Sequence, residues 1–351
     1  MKVWVRLWAV LFMLPLFVLG CGKKPSPEKA GAASAAPSIT GAPAPVKRGP
    51  ALRIAYSDWP GWVAWDIGVQ KGFFEQEGVD VDFSWFEYVP SMDAYSAGKV
   101  DAVCMTNGDA LVTGASGSPS VAVVINDYSN GNDMLVARSG IDSVAALKGK
   151  KVGVEVGFVS HLLLTNALAS ANLSEKDIEI VNVPTDQTPQ ALGSGRVDAI
   201  VAWQPNSGQA LKEAPGSKAI FTSADVPGLI YDVLAVNPKS LAERRADWTK
   251  VVKVWGRIAD FVNDPKNADE AAKIMGARVG LAADEYKKLM AGTRFLGVRD
   301  GFAAYQRGDA LTSIFHSSKL VDEFQVKNAV YKAPVKYDAY FDSSLVSTLL
   351  N

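Results

Sequence analysis

Asp58, Trp59, Trp62, Trp65 and Asp66 set carboxylates among indoles within one short stretch of the chain. Carboxylates attract cations and accept hydrogen bonds from N–H groups, and indole faces stack on planar or cationic groups. On a helix from Trp62 to about Gly72, Trp62, Trp65 and Asp66 share one face by their i, i+3, i+4 spacing. Trp65 suits core packing as well as a site. Asp58 suits a helix cap or a ligand contact. Trp59 and Trp62 flank Pro60-Gly61 at a loop tip, where stacking on a ligand is the more natural role.

A second group, Glu155, Phe158, Ser160 and His161, lies about one lobe's length farther on. Ser160 opens a predicted helix, so its hydroxyl could cap that helix or join free backbone amides in holding an anion. His161 could face the same space or pack. Asn107 and Asp109 occupy a third loop, Trp203 a fourth, and Asp232 lies on a β-rich run, Tyr231 to Val236. The loops 57–62, 106–109, 155–161 and 203–206 carry Asp58, Asp109 and Glu155, with Asp66 just beyond, and no Lys or Arg. That census suits a small nitrogen-rich solute, such as a guanidinium, amine, amidine or pyrimidine-type molecule. A sulfonate would meet unpaired like charge there.

The elements that position these loops are legible as a repeat. Leu52-Arg53-Ile54-Ala55-Tyr56 reads as a strand, followed by a loop and a helix. Lys151-Val152-Gly153-Val154 repeats that opening, with a helix from Ser160 to about Ala171. Gly98-Lys99-Val100-Asp101-Ala102 returns as Gly195-Arg196-Val197-Asp198-Ala199, 97 positions later. Duplication of an α/β lobe follows. Strands alternating with helices imply mainly parallel sheets, whose ligands bind at the carboxyl ends of the strands. The expected order is lobe 1 over residues 51–136, lobe 2 over 137–230, and a return to lobe 1 with C-terminal helices over 231–351. Helices are expected at Trp248 to Asn263, Ala268 to Met275 and Asp284 to Met290. Two crossings between lobes form a hinge that permits closure.

The N-terminus sets an address. Lys2 and Arg6 precede an apolar run from Leu7 to Leu19, too short for an ordinary spanning helix. Val18-Leu19-Gly20-Cys21 resembles a bacterial lipoprotein lipobox, which implies a leader at 1–20, cleavage before Cys21 and a lipid on its sulfur. Residues 21–50, rich in Ala, Pro, Gly and Ser, read as a flexible tether. A net charge of −1 gives no reason to expect nucleic acid. With Cys21 at the leader junction, Cys104 stands alone and no disulfide is expected. Two histidines, with no paired Cys/His spacing, argue against a metal site.

The chain resembles the substrate-binding proteins of ABC transporters in the nitrate/sulfonate/taurine and thiamine-pyrimidine-precursor group. The likeness rests on the strand at Leu52, the run from Gln70-Lys71-Gly72-Phe73-Phe74 to Val81, the repeated Gly-basic-Val-Asp-Ala segments, Gly157-Phe158-Val159-Ser160-His161, and Trp203-Gln204-Pro205. It spans roughly Leu52 to Lys239. The resemblance implies a two-lobed periplasmic-binding-protein fold of type II. It also implies a monomeric receptor without cofactor that hands its solute to a permease and ATPase complex. Two rival readings remain: a ligand-sensing surface lipoprotein, and an enzyme like the pyrimidine synthases built on the same fold.

Overall fold

The computed structural model describes residues 49–350; the leader, Cys21 and the tether up to residue 48 lie outside the described residues. In chain order the strands are β1 (Leu52–Tyr56), β2 (Val81–Trp85), β3 (Ala102–Thr106), β4 (Val121–Ser129), β5 (Asp133–Ala137), β6 (Lys151–Val154), β7 (Glu179–Asn182), β8 (Ala199–Trp203), β9 (Lys218–Thr222), β10 (Tyr231–Val236) and β11 (Thr293–Phe295). They form two sheets, ordered β11-β4-β10-β3-β1-β2 and β7-β6-β8-β5-β9.

Each sheet defines a lobe, and the order β4-β10-β3-β1-β2 matches β9-β5-β8-β6-β7, with the edge strand β11 as an addition to the first sheet. β2, β1 and β3 pair in parallel, as do β7, β6 and β8. β10 and β4 then continue the first sheet antiparallel, as β5 and β9 continue the second. The sheets are therefore mixed, parallel only in the half built by strand-helix-strand crossovers. The antiparallel halves contain the strands that enter from the opposite lobe. Thus β5, which the sequence suggests as the last strand of lobe 1, hydrogen bonds within the second sheet. The first crossing falls between Ser129 and Asp133, and the second between Thr222 and Tyr231.

The repeated segment has one structural job in both lobes. Gly98 and Gly195 take positive φ values of 68° and 78° where a helix ends, a conformation that disfavours a side chain. Asp101 then accepts from the Arg53 N–H at 2.9 Å, and Asp198 from the Lys151 N–H at 2.8 Å. Each aspartate ties the start of its own strand to the start of the first strand of its lobe.

The main hydrophobic core runs through the first sheet and on to the helix Val159–Ser170, while Val136, Val183, Leu192 and Ile200 form a smaller cluster in the second lobe. The C-terminal helices Arg245–Asn263, Ala268–Arg278 and Ala283–Ala291 form where the apolar spacing places them. Trp255 of the first meets Trp65 with ring centroids 4.8 Å apart. At the hinge, Ser223 binds Ser129 Oγ at 2.6 Å and accepts from the Gly131 N–H at 2.7 Å, joining the two crossings. Among the described residues, no helix is long and apolar enough to cross a membrane.

Candidate functional site

The helix after β1 is broken. Pro60–Val63 and Trp65–Gln70 are separate helices that meet at Ala64. The expected common face of Trp62, Trp65 and Asp66 therefore does not exist. Trp65 is fully buried among Phe74, Phe83 and Trp255. Asp66 accepts from the Tyr56 hydroxyl at 3.0 Å and lies 3.8 Å from Arg278, in an open groove of about 650 Å³ on the first lobe. Asp66 is thus corrected from a cleft residue to part of this separate cluster.

Trp62 points into the cleft instead. Its ring stacks on Tyr88, with centroids 5.2 Å apart and planes 21° apart. Tyr88 meets Trp203 of the second lobe edge-on at 5.1 Å. Trp59, Trp62, Tyr88 and Trp203, with Asp133, Asp232, Thr106, Val159 and Ile230, enclose a cavity of about 10 Å³. That volume is near the minimum needed for one water molecule. Both lobes supply walls.

Register explains why the acids converge here. β10 pairs Asp232 with Thr106 on one side and Asp127 on the other, at the cleft end of the first sheet. β5 pairs Asp133 with Trp203 in the second. The Trp59 indole N–H donates to Asp127 Oδ1 at 2.9 Å. Asp127 and Asp232 are register partners on neighbouring strands, and each leaves Oδ2 buried without a hydrogen-bond partner. Burial raises the titration range of both, and their mutual repulsion raises that of Asp232 further. Burial also carries Asp133 up to about 7. Asp133 Oδ2 has no hydrogen-bond partner.

Asp109 sits on the first lobe, at the start of the helix Asn107–Ala115. Tyr88 donates to its Oδ2 at 2.5 Å, while its Oδ1 is buried without a partner in a small cavity also lined by Val159 of the second lobe. Burial raises its carboxyl to about 6 against the Tyr88 hydrogen bond. Glu155 accepts from the Thr185 hydroxyl at 3.1 Å and is likewise raised by burial to about 7.

Asp58 bridges the lobes. The Trp203 indole donates to Oδ1 at 3.1 Å and the Asn206 amide to Oδ2 at 2.8 Å. It caps no helix side chain to backbone, since Trp59 is the residue at the cap of Pro60–Val63. In this closed arrangement Asp58 is a clasp between lobes.

The remaining expected residues divide. Asn107 donates to Ser317 and Ser318 and accepts from the Tyr231 N–H, so its amide is committed to the fold. His161 accepts from the Gly157 N–H through Nδ1 and donates through Nε2 to Glu175 at 2.5 Å. Its ring also meets Phe324 at 5.5 Å, which makes it a packing residue of the second lobe. Phe158 is the half-buried residue at the cap of Val159–Ser170. Ser160 does not cap that helix; its hydroxyl is buried without a partner. Sequence reasoning passes over Tyr88, Asp127, Asp133 and Asn206 as site residues. Asn126-Asp127 does signal itself, as a polar pair interrupting the apolar run Val121–Ile125.

Two mixed sheets of matching order, joined by two crossings and closed on an acidic, aromatic cavity, define a two-lobed α/β binding-protein fold. The chain belongs to the NMT1-like family, whose model matches residues 47–276. A Brucella abortus protein provisionally named a binding protein is 31% identical over 237 residues, covering 64% of this chain and 71% of its own. An Escherichia coli protein provisionally named for binding aliphatic sulfonates is 26% identical over 279 residues, covering 77% and 85%. Among solved structures, the periplasmic aliphatic sulphonate binding protein SsuA from Escherichia coli aligns with a TM-score of 0.69 at 20% identity, over 85% of this chain and 99% of that one. The ligand-binding component of an ABC-type import system from Staphylococcus aureus aligns at 0.70 and 16% identity, over 85% and 98%. The desulfurization enzyme DszB shares the fold at 0.60 and 14% identity, over 86% and 99%.

Proposed function

We propose that this chain is the extracytoplasmic solute-binding component of an ABC importer. It closes around a small nitrogen-containing or other organic solute and presents it to a permease driven by an ATPase. A lipid on Cys21 and the 21–50 tether hold it at a membrane surface. The observation that carries this reading is the cavity between the lobes, walled by Trp59, Trp62 and Tyr88 on one side and Trp203 and Asp133 on the other. A cavity divided between hinged lobes opens and closes as they move, which couples solute capture to a change of shape. The name of the Staphylococcus aureus neighbour supports an import role, and that of the Escherichia coli relative supports solute binding.

Chemistry on a bound substrate is the competing reading, because DszB shares the fold. His161 offers no base to the cavity, since both ring nitrogens are engaged by Gly157 and Glu175. A thermal-shift screen of the purified full chain tests the proposal, because a solute that binds the folded form raises its melting temperature. The solute should be recovered chemically unchanged, and Trp203→Ala should abolish the shift. A changed mass would establish an enzyme instead. For the anchor, Cys21→Ser should move the protein from the membrane to the soluble fraction; unchanged membrane partition would refute the lipid.

A further inference from the structure

The cleft has a charge and a shape. Asp133 is 3% exposed, lines the cavity, and leaves Oδ2 without a hydrogen-bond partner. Asp232, 2% exposed, lines the same cavity. No Lys, Arg or His takes part in its lining. Two buried carboxylates without a basic partner cost folding free energy, which a solute can return if it supplies positive charge and N–H donors. The rings of Trp62, Tyr88 and Trp203 are among the other walls, and indole and phenol faces attract cations.

A carboxylate lies beside the place where an anion would dock. The N-terminus of Val159–Ser170 is the natural anion seat of the second lobe. Asp109 of the first lobe lines one small cavity with Val159, and its Oδ1 is buried without a hydrogen-bond partner. An anionic solute at that helix start would meet Asp109, and in the cavity Asp133 and Asp232 as well. The acids are not gathered as an inorganic ion would need: among the described residues no group of three or more His, Cys, Asp or Glu is placed to hold a metal.

Resting on the solute-binding reading above, the geometry points to a small planar organic cation rich in N–H donors as the solute class. Its charge and N–H groups face Asp133 and Asp232, and its plane lies against the indole and phenol rings. The lobes must part to admit it, since the closed cavity of about 10 Å³ has room for no more than about one water molecule.

The test holds shape nearly constant and varies charge. Guanidinium, urea and nitrate are all small trigonal planes, carrying positive, zero and negative charge. Each is titrated at millimolar concentration into the purified full chain in mild detergent, with acetamidinium as a second cation and taurine as a second anion. Saturable binding of guanidinium or acetamidinium is expected, with urea weaker by about tenfold or more and no response to nitrate or taurine. Asp133→Asn and Asp232→Asn should each weaken the cation by about tenfold or more. Their melting temperatures without solute should equal or exceed that of the parent, because a buried carboxylate is removed. Tighter binding of nitrate or taurine, abolished by Trp203→Ala, would overturn the cation class and leave the solute-binding reading standing. Equal affinity for all three planes, or silence toward both cations, would also overturn it. A probe returned with altered mass would instead sink the solute-binding reading itself.

Discussion

Gly61 shows how much one hydrogen atom decides. A Cβ at this position would stand 1.7 Å from Asp127 Oδ2, so only glycine lets the carboxylate lie against the Pro60–Val63 turn. That placement lets Asp127 Oδ1 accept from Trp59 and brings Asp127 within reach of Asp232. Gly61→Ala should therefore expel the carboxylate, break the Trp59 bond and lower stability by about 1–3 kcal/mol. In an Asp127→Ala background the same change should cost much less, giving a coupling of about 1 kcal/mol or more in a urea-denaturation double-mutant cycle. Additive losses would show that Gly61 matters for some reason other than Asp127. The sequence exposes Trp59 and Trp62 as site residues because Pro-Gly puts them at a loop tip. It does not expose their partners. Asp127 and Tyr88 reach the cleft through register and through the turn after β2, which no local pattern specifies.

At the scale of elements, what is readable is what local chemistry enforces. The Gly-basic-Val-Asp-Ala segment is recognisable twice because a left-handed glycine and a strand-tying aspartate are both required where a helix turns into a strand. In each lobe that device ties two neighbouring parallel strands, β1 to β3 and β6 to β8. The break at Ala64 is unreadable, because Trp62 to Gly72 keeps a helical apolar period through it while tertiary packing sends Trp62 and Trp65 in different directions. Asp66 goes with Trp65 rather than with Trp62, to Tyr56 and Arg278. The two aspartates of the repeat are not equal in strength. Asp101 also takes the Arg53 guanidinium, at 2.8 Å and 3.1 Å, whereas Asp198 binds the Lys151 backbone alone among its hydrogen bonds. Asp101→Ala should cost about 1–2 kcal/mol and more than Asp198→Ala, measured by urea denaturation near neutral pH. The Arg53 hydrogen bond helps hold the Asp101 carboxyl below its ordinary range against desolvation. The excess cost should therefore persist through mild acid and vanish only as the pH falls through that lowered value. Equal costs for the two variants would show that the guanidinium adds nothing.

The whole molecule balances closure against buried charge. Asp58 holds the lobes together through Trp203 and Asn206, two hydrogen bonds to one carboxylate. Asp58→Ala should weaken the closed form by about 2 kcal/mol, and solute affinity should fall by roughly 30-fold through the closure equilibrium. Small-angle scattering should then show a larger radius of gyration, and an unchanged radius with unchanged affinity would remove Asp58 from the hinge cycle. Against the clasp stand Asp109, Asp133 and Glu155, which burial raises to about 6, 7 and 7. Asp109 is among the charges facing both Asp133 and Glu155, while Asp58 and Asp186 also face Glu155. In the unfolded chain such carboxyls titrate near 4. From about pH 4 to 7 the folded form thus retains protons that the unfolded form has lost, and stability falls as pH rises across that window. The carboxyls held low, such as Asp101 and Asp342, act in the opposite sense only at more acid pH. The melting temperature without solute should accordingly drop from about pH 5 to about pH 8, and Asp133→Asn should flatten the slope. A cation that binds the ionised carboxylates must bind more tightly as pH rises and release protons as it binds. Calorimetry in two buffers of different ionisation heat reads that release directly. A melting temperature that climbs across this window would mean that the cleft acids are ionised and well paired in the folded chain, and the charge that calls for a cation would not be there.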